Sequence, residues 1–169
     1  MQTHLAPRCC LPGSDGCDHT IGGPSSHITV VYFYPKDMTP GCTTQAVEFN
    51  ALLPQFQACN ARVYGVSRDS IESHRRFCER HNLAFVLLSD ADKKALQAYG
   101  AWGEKSMYGK IFMGILRQTF VIDQQGVVLQ KWLKVRAKGH AQEVLQAVQQ
   151  LAAASTAADA TDNSYRSGS

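Results

Sequence analysis

The sequence predicts an α/β fold, a central mixed β-sheet flanked by helices on both faces. Three observations predict it. Strand-like runs rich in β-branched and aromatic residues alternate with segments whose apolar residues recur at helical spacing. Those strand-like runs are continuously apolar, the pattern of strands buried on both faces. Two consecutive strands near the C-terminal end are joined by a short turn, which adds an antiparallel pair and makes the sheet mixed.

Each element follows from its residues. The stretch ahead of His27 is rich in Gly and Pro and reads as loop, with room for a short edge hairpin. "HITVVYFYP" (27–35) is a buried strand stopped by Pro35. "CTTQAVEFNALLPQFQACN" (42–60) is a helix, with Val47, Phe49, Leu52, Leu53 and Phe56 at helical spacing. Pro54 lies inside it and predicts a kink or interruption, because proline removes a backbone donor. "ARVYGVS" (61–67) is a second buried strand, and "SIESHRRFCERHN" (70–82) a helix capped by Ser70. "AFVLLSD" (84–90) is a third strand, with Asp90 opening a short helix that Gly100 closes. A long loop leads to "GILRQTFVID" (114–123) and "GVVLQKWLKV" (126–135), a hairpin turning at Gln124-Gln125-Gly126. "GHAQEVLQAVQQLA" (139–152) is the last helix, its stripe Val144, Leu145, Val148 and Leu151. The remainder is small and polar. The expected division is one domain over 1–151 and a disordered tail over 152–169.

Composition narrows the function. With 17 basic and 14 acidic residues the formal charge is +3 and scattered, which argues against nucleic acid or a membrane surface as partner. No apolar run is long enough for a transmembrane helix. "MQTHLAPRCC" lacks the basic and apolar regions of a secretory signal, so a cytoplasmic protein is expected. In that setting the six cysteines (Cys9, Cys10, Cys17, Cys42, Cys59, Cys78) are not a disulfide framework. Inert thiols, a metal site and redox chemistry remain open.

Cys42 has the most informative surroundings. It follows Thr39-Pro40-Gly41 and opens a helix. Unpaired backbone N–H groups and the positive end of the helix dipole favour negative charge there, and hence the reactive thiolate. Pro40 fixes φ just ahead, Gly41 permits close backbone approach, and the Thr39 hydroxyl can donate to or accept from a small polar ligand. The same residues are also good turn chemistry around a small buried side chain.

"FYPKDMTPGCT" (33–43) resembles the active-site segment of the peroxiredoxins, specifically the peroxiredoxin Q or bacterioferritin co-migratory protein group. "APRCCLPGSDG", "VYGVSRDSIESHRRF", "FVLLSDADKKALQAYGAWGEK", "MYGK", "GILRQTFVID" and "KVRAKGHAQEVL" resemble the same group in the same order. The resemblance implies a thioredoxin-like fold and a thiol-dependent peroxidase for hydrogen peroxide and organic hydroperoxides. It implies no metal and no organic cofactor. Cys42 resembles the peroxidatic cysteine, which becomes a sulfenic acid. Thr39 resembles the threonine that hydrogen-bonds the peroxide, and Pro40 the proline that shields the site from water. Arg117 resembles the arginine that completes the pocket.

Two positions depart from the group. Many members carry a resolving cysteine five residues after the first, where this chain has Val47. The usual glutamate three residues after the peroxidatic cysteine is Gln45. Some members use a cysteine on the next helix, and Cys78 suits that spacing. A disulfide needs Cα atoms within about 7 Å, which cysteines on two separate intact packed helices rarely reach, so one or both helices should unwind. If Cys78 is inert, the chain is a one-cysteine peroxidase resolved by an external thiol. Thioredoxin or a similar dithiol is the expected reductant and a monomer the expected state. A redox relay to a partner protein and a non-catalytic thioredoxin-like module are the other readings. Cys59 reads as inert. Cys9, Cys10 and Cys17 with His19 match no usual zinc spacing. His27, His74, His81 and His140 read as surface residues. Trp102, Tyr108 and Lys110 receive no catalytic role.

Overall fold

The computed structural model describes residues 4–166, with side chains described as far as residue 154. Nine strands and four helices follow one another in these residues: β1 (Cys9–Pro12), β2 (Asp18–Ile21), β3 (Ile28–Phe33), α1 (Pro40–Ala58), β4 (Ala61–Ser67), α2 (Ile71–His81), β5 (Val86–Ser89), α3 (Lys94–Ala98), β6 (Trp102–Met107), β7 (Lys110–Ile115), β8 (Gln118–Ile122), β9 (Val128–Trp132) and α4 (His140–Arg166). The central sheet has the order β5-β4-β3-β8-β9. β3 is parallel to β4 and antiparallel to β8, so Val30 faces Val63 on one side and Val121 on the other. This is the mixed sheet the sequence predicts, in a thioredoxin-like arrangement.

The middle strand explains the layers. Val30, Val31, Tyr32 and Phe33 are all fully buried, as a strand covered on both faces must be. Val30 and Tyr32 join Phe49, Phe56, Phe77, Val144, Leu145 and Val148 beneath α1, α2 and α4. Val31 and Phe33 point the other way, into Tyr64, Leu88, Leu96, Tyr99 and Phe120, which α3 and the β1–β2 hairpin cover. Alternation along one strand thus feeds two cores.

Several expectations need correction. α1 begins at Pro40, two residues early, because proline's fixed φ suits the first helical position. It also runs uninterrupted through Pro54, since burial of Phe49, Leu53 and Phe56 outweighs one missing donor. The long loop after Gly100 is a second hairpin, β6–β7, that turns at Tyr108 and Gly109 with φ of 52° and 77°. Positive φ at both positions is the signature of a tight two-residue hairpin turn. The expected strand 114–123 is therefore split: Ile115 ends β7, Gln118 begins β8, and Leu116-Arg117 connect them. The turn at 124–126 forms as predicted, with the Asp123 carboxylate accepting from Gln125 N and Val127 N. α4 continues as backbone helix through Arg166, past the boundary expected at 151, while its buried stripe ends with the partly buried Leu151. Residues 167–169 of the expected tail lie outside the described residues. Among the described residues no helix is long and apolar enough to cross a membrane.

Candidate active site

Thr39 is the N-cap of α1, in extended backbone, and its carbonyl accepts from Thr43 N at 2.8 Å. Its hydroxyl donates to the Lys36 carbonyl at 2.7 Å, which fixes the loop rather than capping the helix. Pro40 and Gly41 follow, and Cys42 occupies the third helical position, 2% exposed. Backbone N–H groups of this first turn have no carbonyl behind them within the helix.

Arg117 reaches this turn from the β7–β8 connector, whose Leu116 N is tied to the Ala101 carbonyl at 2.7 Å. One guanidinium nitrogen, Nη2, donates to Cys42 Sγ at 3.3 Å; the other, Nη1, donates to Gln45 Oε1 at 2.6 Å. A Cβ at position 41 would lie 3.4 Å from Nη2, an ordinary contact, so the guanidinium packs directly against Gly41. Thr39, Pro40 and Cys42 are thus parts of one turn, and Arg117 joins it from 75 residues away.

Further groups face the site. Tyr32 stacks on Phe49 with centroids 4.7 Å apart and its hydroxyl has no partner among the described residues. Burial pushes its phenol well above the usual range, and charge at Cys42 and at Cys78 adds to this. Burial lowers the Lys105 ammonium, the Arg117 charge lowers it further, and Cys42 pulls it back. His140 donates to or accepts from Thr119 Oγ1 at 2.8 Å; burial and then Arg117 push its imidazolium down to about 4. Glu48 accepts from Gly139 N at 2.9 Å, where α4 begins.

A buried network ties the loop before Cys42 to α2. Asp37 Oδ1 accepts from the Tyr34 hydroxyl at 2.6 Å, and Oδ2 from Ser73 at 2.8 Å. His74 Nδ1 lies 2.7 Å from the same Oδ2, and its Nε2 lies 2.9 Å from the Leu88 carbonyl, which can only accept. Asp69 closes the network by accepting from Asp37 N and from Ser67. His74 and His140 are thus core residues, 0% and 3% exposed, contrary to the surface positions expected of them. Their partners lie 37 and 21 residues away, and no local pattern announces such pairs.

Cys78 sits in the last turn of α2, half-buried against the α1 core. Its thiol donates to Ser14 Oγ at 3.7 Å. Burial pushes it up, the Ser14 bond opposes this, and Asp37 and Glu79 add to it. All six cysteines are free thiols, and α1 and α2 are both intact. Cys59 caps the C-terminus of α1. Cys9 is buried on β1, and Cys10 and Cys17 are exposed. His19 pairs with Asp15 rather than with these cysteines. Among the described residues, the group compact enough to hold a cation is Asp37, Asp69 and His74, not the Cys/His set. The Trp102 ring makes cation contacts with Arg68 and Lys93, 5.5 and 4.8 Å from its centroid.

Comparison with known proteins agrees with this architecture. Residues 3–131 match the model of the AhpC/TSA family. The chain is 48% identical over 135 residues to peroxiredoxin Bcp of Xanthomonas campestris, covering 80% of this chain and 84% of that protein. It is 42% identical over 146 residues to peroxiredoxin Bcp of Bacillus subtilis, covering 86% and 93%. Among solved structures, Xanthomonas campestris peroxiredoxin Q matches with a TM-score of 0.79 at 45% identity, covering 85% of this chain and 91% of that one. The bacterioferritin comigratory protein of the same organism, solved in trapped-intermediate and ligand complexes that concern its alkyl peroxide reduction, matches with a TM-score of 0.79 at 44% identity, covering 85% and 92%.

Proposed function

The chain belongs to the AhpC/TSA family and is a thiol-dependent peroxidase of the Bcp or peroxiredoxin Q kind, and from that premise we propose that its peroxide chemistry runs through Cys42. The observation that carries this is the Arg117 Nη2 contact with Sγ at 3.3 Å, made at the open end of a helix. The thiolate attacks the terminal oxygen of the hydroperoxide. The O–O bond breaks, Cys42 becomes a sulfenic acid, and the leaving hydroxide or alkoxide takes a proton to depart as water or alcohol. Arg117 and the N–H groups of Gly41 and Cys42 stabilise the charge that moves along the S–O–O axis. Thr39 holds the peroxide and Pro40 keeps water from it. Hydrogen peroxide and organic hydroperoxides are the substrates.

Cys78 resolves the sulfenic acid. Its thiolate attacks Cys42 Sγ and expels hydroxide, which leaves as water and forms a Cys42–Cys78 disulfide. Thioredoxin or a similar dithiol then reduces the bond by exchange. Cys42 belongs to the core beneath α1 and α2, and Cys78 packs against the same core, which supports the pairing. Both thiols that form the disulfide belong to one chain, which supports a monomer at work, and a reducing compartment such as the cytoplasm would supply the dithiol.

The experiment is stopped-flow oxidation of Cys78→Ser, followed by tryptophan fluorescence and by thioredoxin-coupled peroxide consumption. The first oxidation by peroxide should keep its wild-type rate, while steady-state turnover falls at least about tenfold, because the disulfide that thioredoxin attacks cannot form. Unchanged turnover would assign resolution to another thiol.

A further inference from the structure

Gln45 is fully buried, and its two amide atoms are treated unequally. Oε1 accepts from Arg117 Nη1 at 2.6 Å, whereas Nε2 has no hydrogen-bond partner among the described residues. Turning the amide over would set N–H groups face to face with the guanidinium, so the carbonyl must point at Arg117. A buried N–H without an acceptor is costly, and an apolar residue of the same shape would avoid that cost. The position is therefore using the carbonyl. A carboxylate would serve Arg117 with a stronger bond and carry no orphan donor, but it would neutralise the guanidinium.

We propose that Gln45 is a positioning residue that aims Arg117 at Cys42 while leaving the guanidinium charge unopposed, so that the sulfur is the anion that charge acts on. This rests on the reading of Cys42 as the reacting thiol. The hydrogen bonds of Arg117 go to Gln45 and Cys42 alone among the described residues. Among the described residues no carboxylate hydrogen-bonds or ion-pairs with Arg117. Lys105 on β6 adds a second cation, and His140 at the start of α4 is a neutral imidazole at working pH. Tyr32 on β3 is a neutral phenol. Along α1, Glu48 is committed to Gly139 N, and Asp37 in the preceding loop is committed to Tyr34, Ser73 and His74.

The test measures alkylation of Cys42 by iodoacetamide against pH, read by mass spectrometry of the Cys42 peptide, beside the pH profile of peroxide consumption. Gln45→Glu retains an acceptor for Nη1 and adds a charge. Its alkylation midpoint should rise by about one pH unit, costing about tenfold in rate below the wild-type midpoint and nothing well above it. Gln45→Met removes the acceptor without adding charge; its peroxide rate should fall about fivefold with a smaller movement of the midpoint. Coincident profiles for the two variants, or an unmoved midpoint in Gln45→Glu, would overturn the proposal and leave the amide a packing residue. Should Gln45→Glu not fold, an unchanged rate and midpoint in Gln45→Met would overturn it equally. Absence of peroxide-dependent oxidation at Cys42 in the wild type would instead contradict the assignment of the reacting thiol, so the two failures are distinct.

Discussion

Cys42→Ser is expected to reduce peroxide consumption to background, a loss of about 10³-fold or more, with the fold intact. The hydroxyl that replaces the thiol is a weak nucleophile with no base beside it. Arg117, the neighbouring donor, favours an anion but cannot remove a proton. None of the other five cysteines lies in this turn, so none can take over the first step. Steady-state consumption of hydrogen peroxide with a dithiol donor checks the loss, and a thermal melt within a few degrees of wild type checks the fold. Residual activity within tenfold of wild type would place the reacting thiol elsewhere.

The largest stability effect is expected from His74→Phe. Tyr34, Ser73 and His74 all serve the Asp37 carboxylate, which is 4% exposed, and His74 also serves the Leu88 carbonyl. Phenylalanine fills the space but leaves a buried carboxylate short of its principal partner and removes the side-chain donor to the Leu88 carbonyl. Removing one member of such a buried pair costs about 3–5 kcal/mol. At this chain length that lowers the melting temperature by roughly 10 °C. The double variant Asp37→Leu with His74→Phe should recover part of the loss, since it removes the stranded charge with the partner. A loss below about 1 kcal/mol in urea unfolding would mean that the pair is dispensable. Because Asp37 lies five residues ahead of Cys42, the variant also loosens the turn that presents the thiol.

What the sequence makes legible is what local chemistry specifies. The two-faced apolar run of β3, the cap of α2 at Ser70, the turn at Asp123 and the thiol at the mouth of α1 all follow from neighbours within a few residues. The β6–β7 hairpin is not legible. Ser106, Met107, Lys110, Ile111, Phe112 and Met113 are neither alternating nor β-branched enough, and five of these six are more than a third exposed hydrophobes or lysines with little core to impose a pattern. Its turn signal, Tyr108-Gly109, becomes visible only through the positive φ of both residues. The histidines fail for a different reason. A lone His on a helix, such as His74, looks the same whether it faces water or a carboxylate from a distant loop. Gln45 is noticed in the sequence as a departure, but its use depends on where Arg117 arrives, and that is set by the β7–β8 connector.

The central claim is that one chain holds both thiols of the cycle and that its helices must open to join them. Non-reducing peptide mapping by mass spectrometry, after one equivalent of hydrogen peroxide, tests it directly. The account predicts a single cross-linked pair joining the Cys42 and Cys78 peptides, formed with a change in tryptophan fluorescence as α1 or α2 unwinds. Cys42 recovered as sulfenic or sulfinic acid with Cys78 still a free thiol would contradict it, and would make the protein a one-cysteine peroxidase that relies on an external thiol.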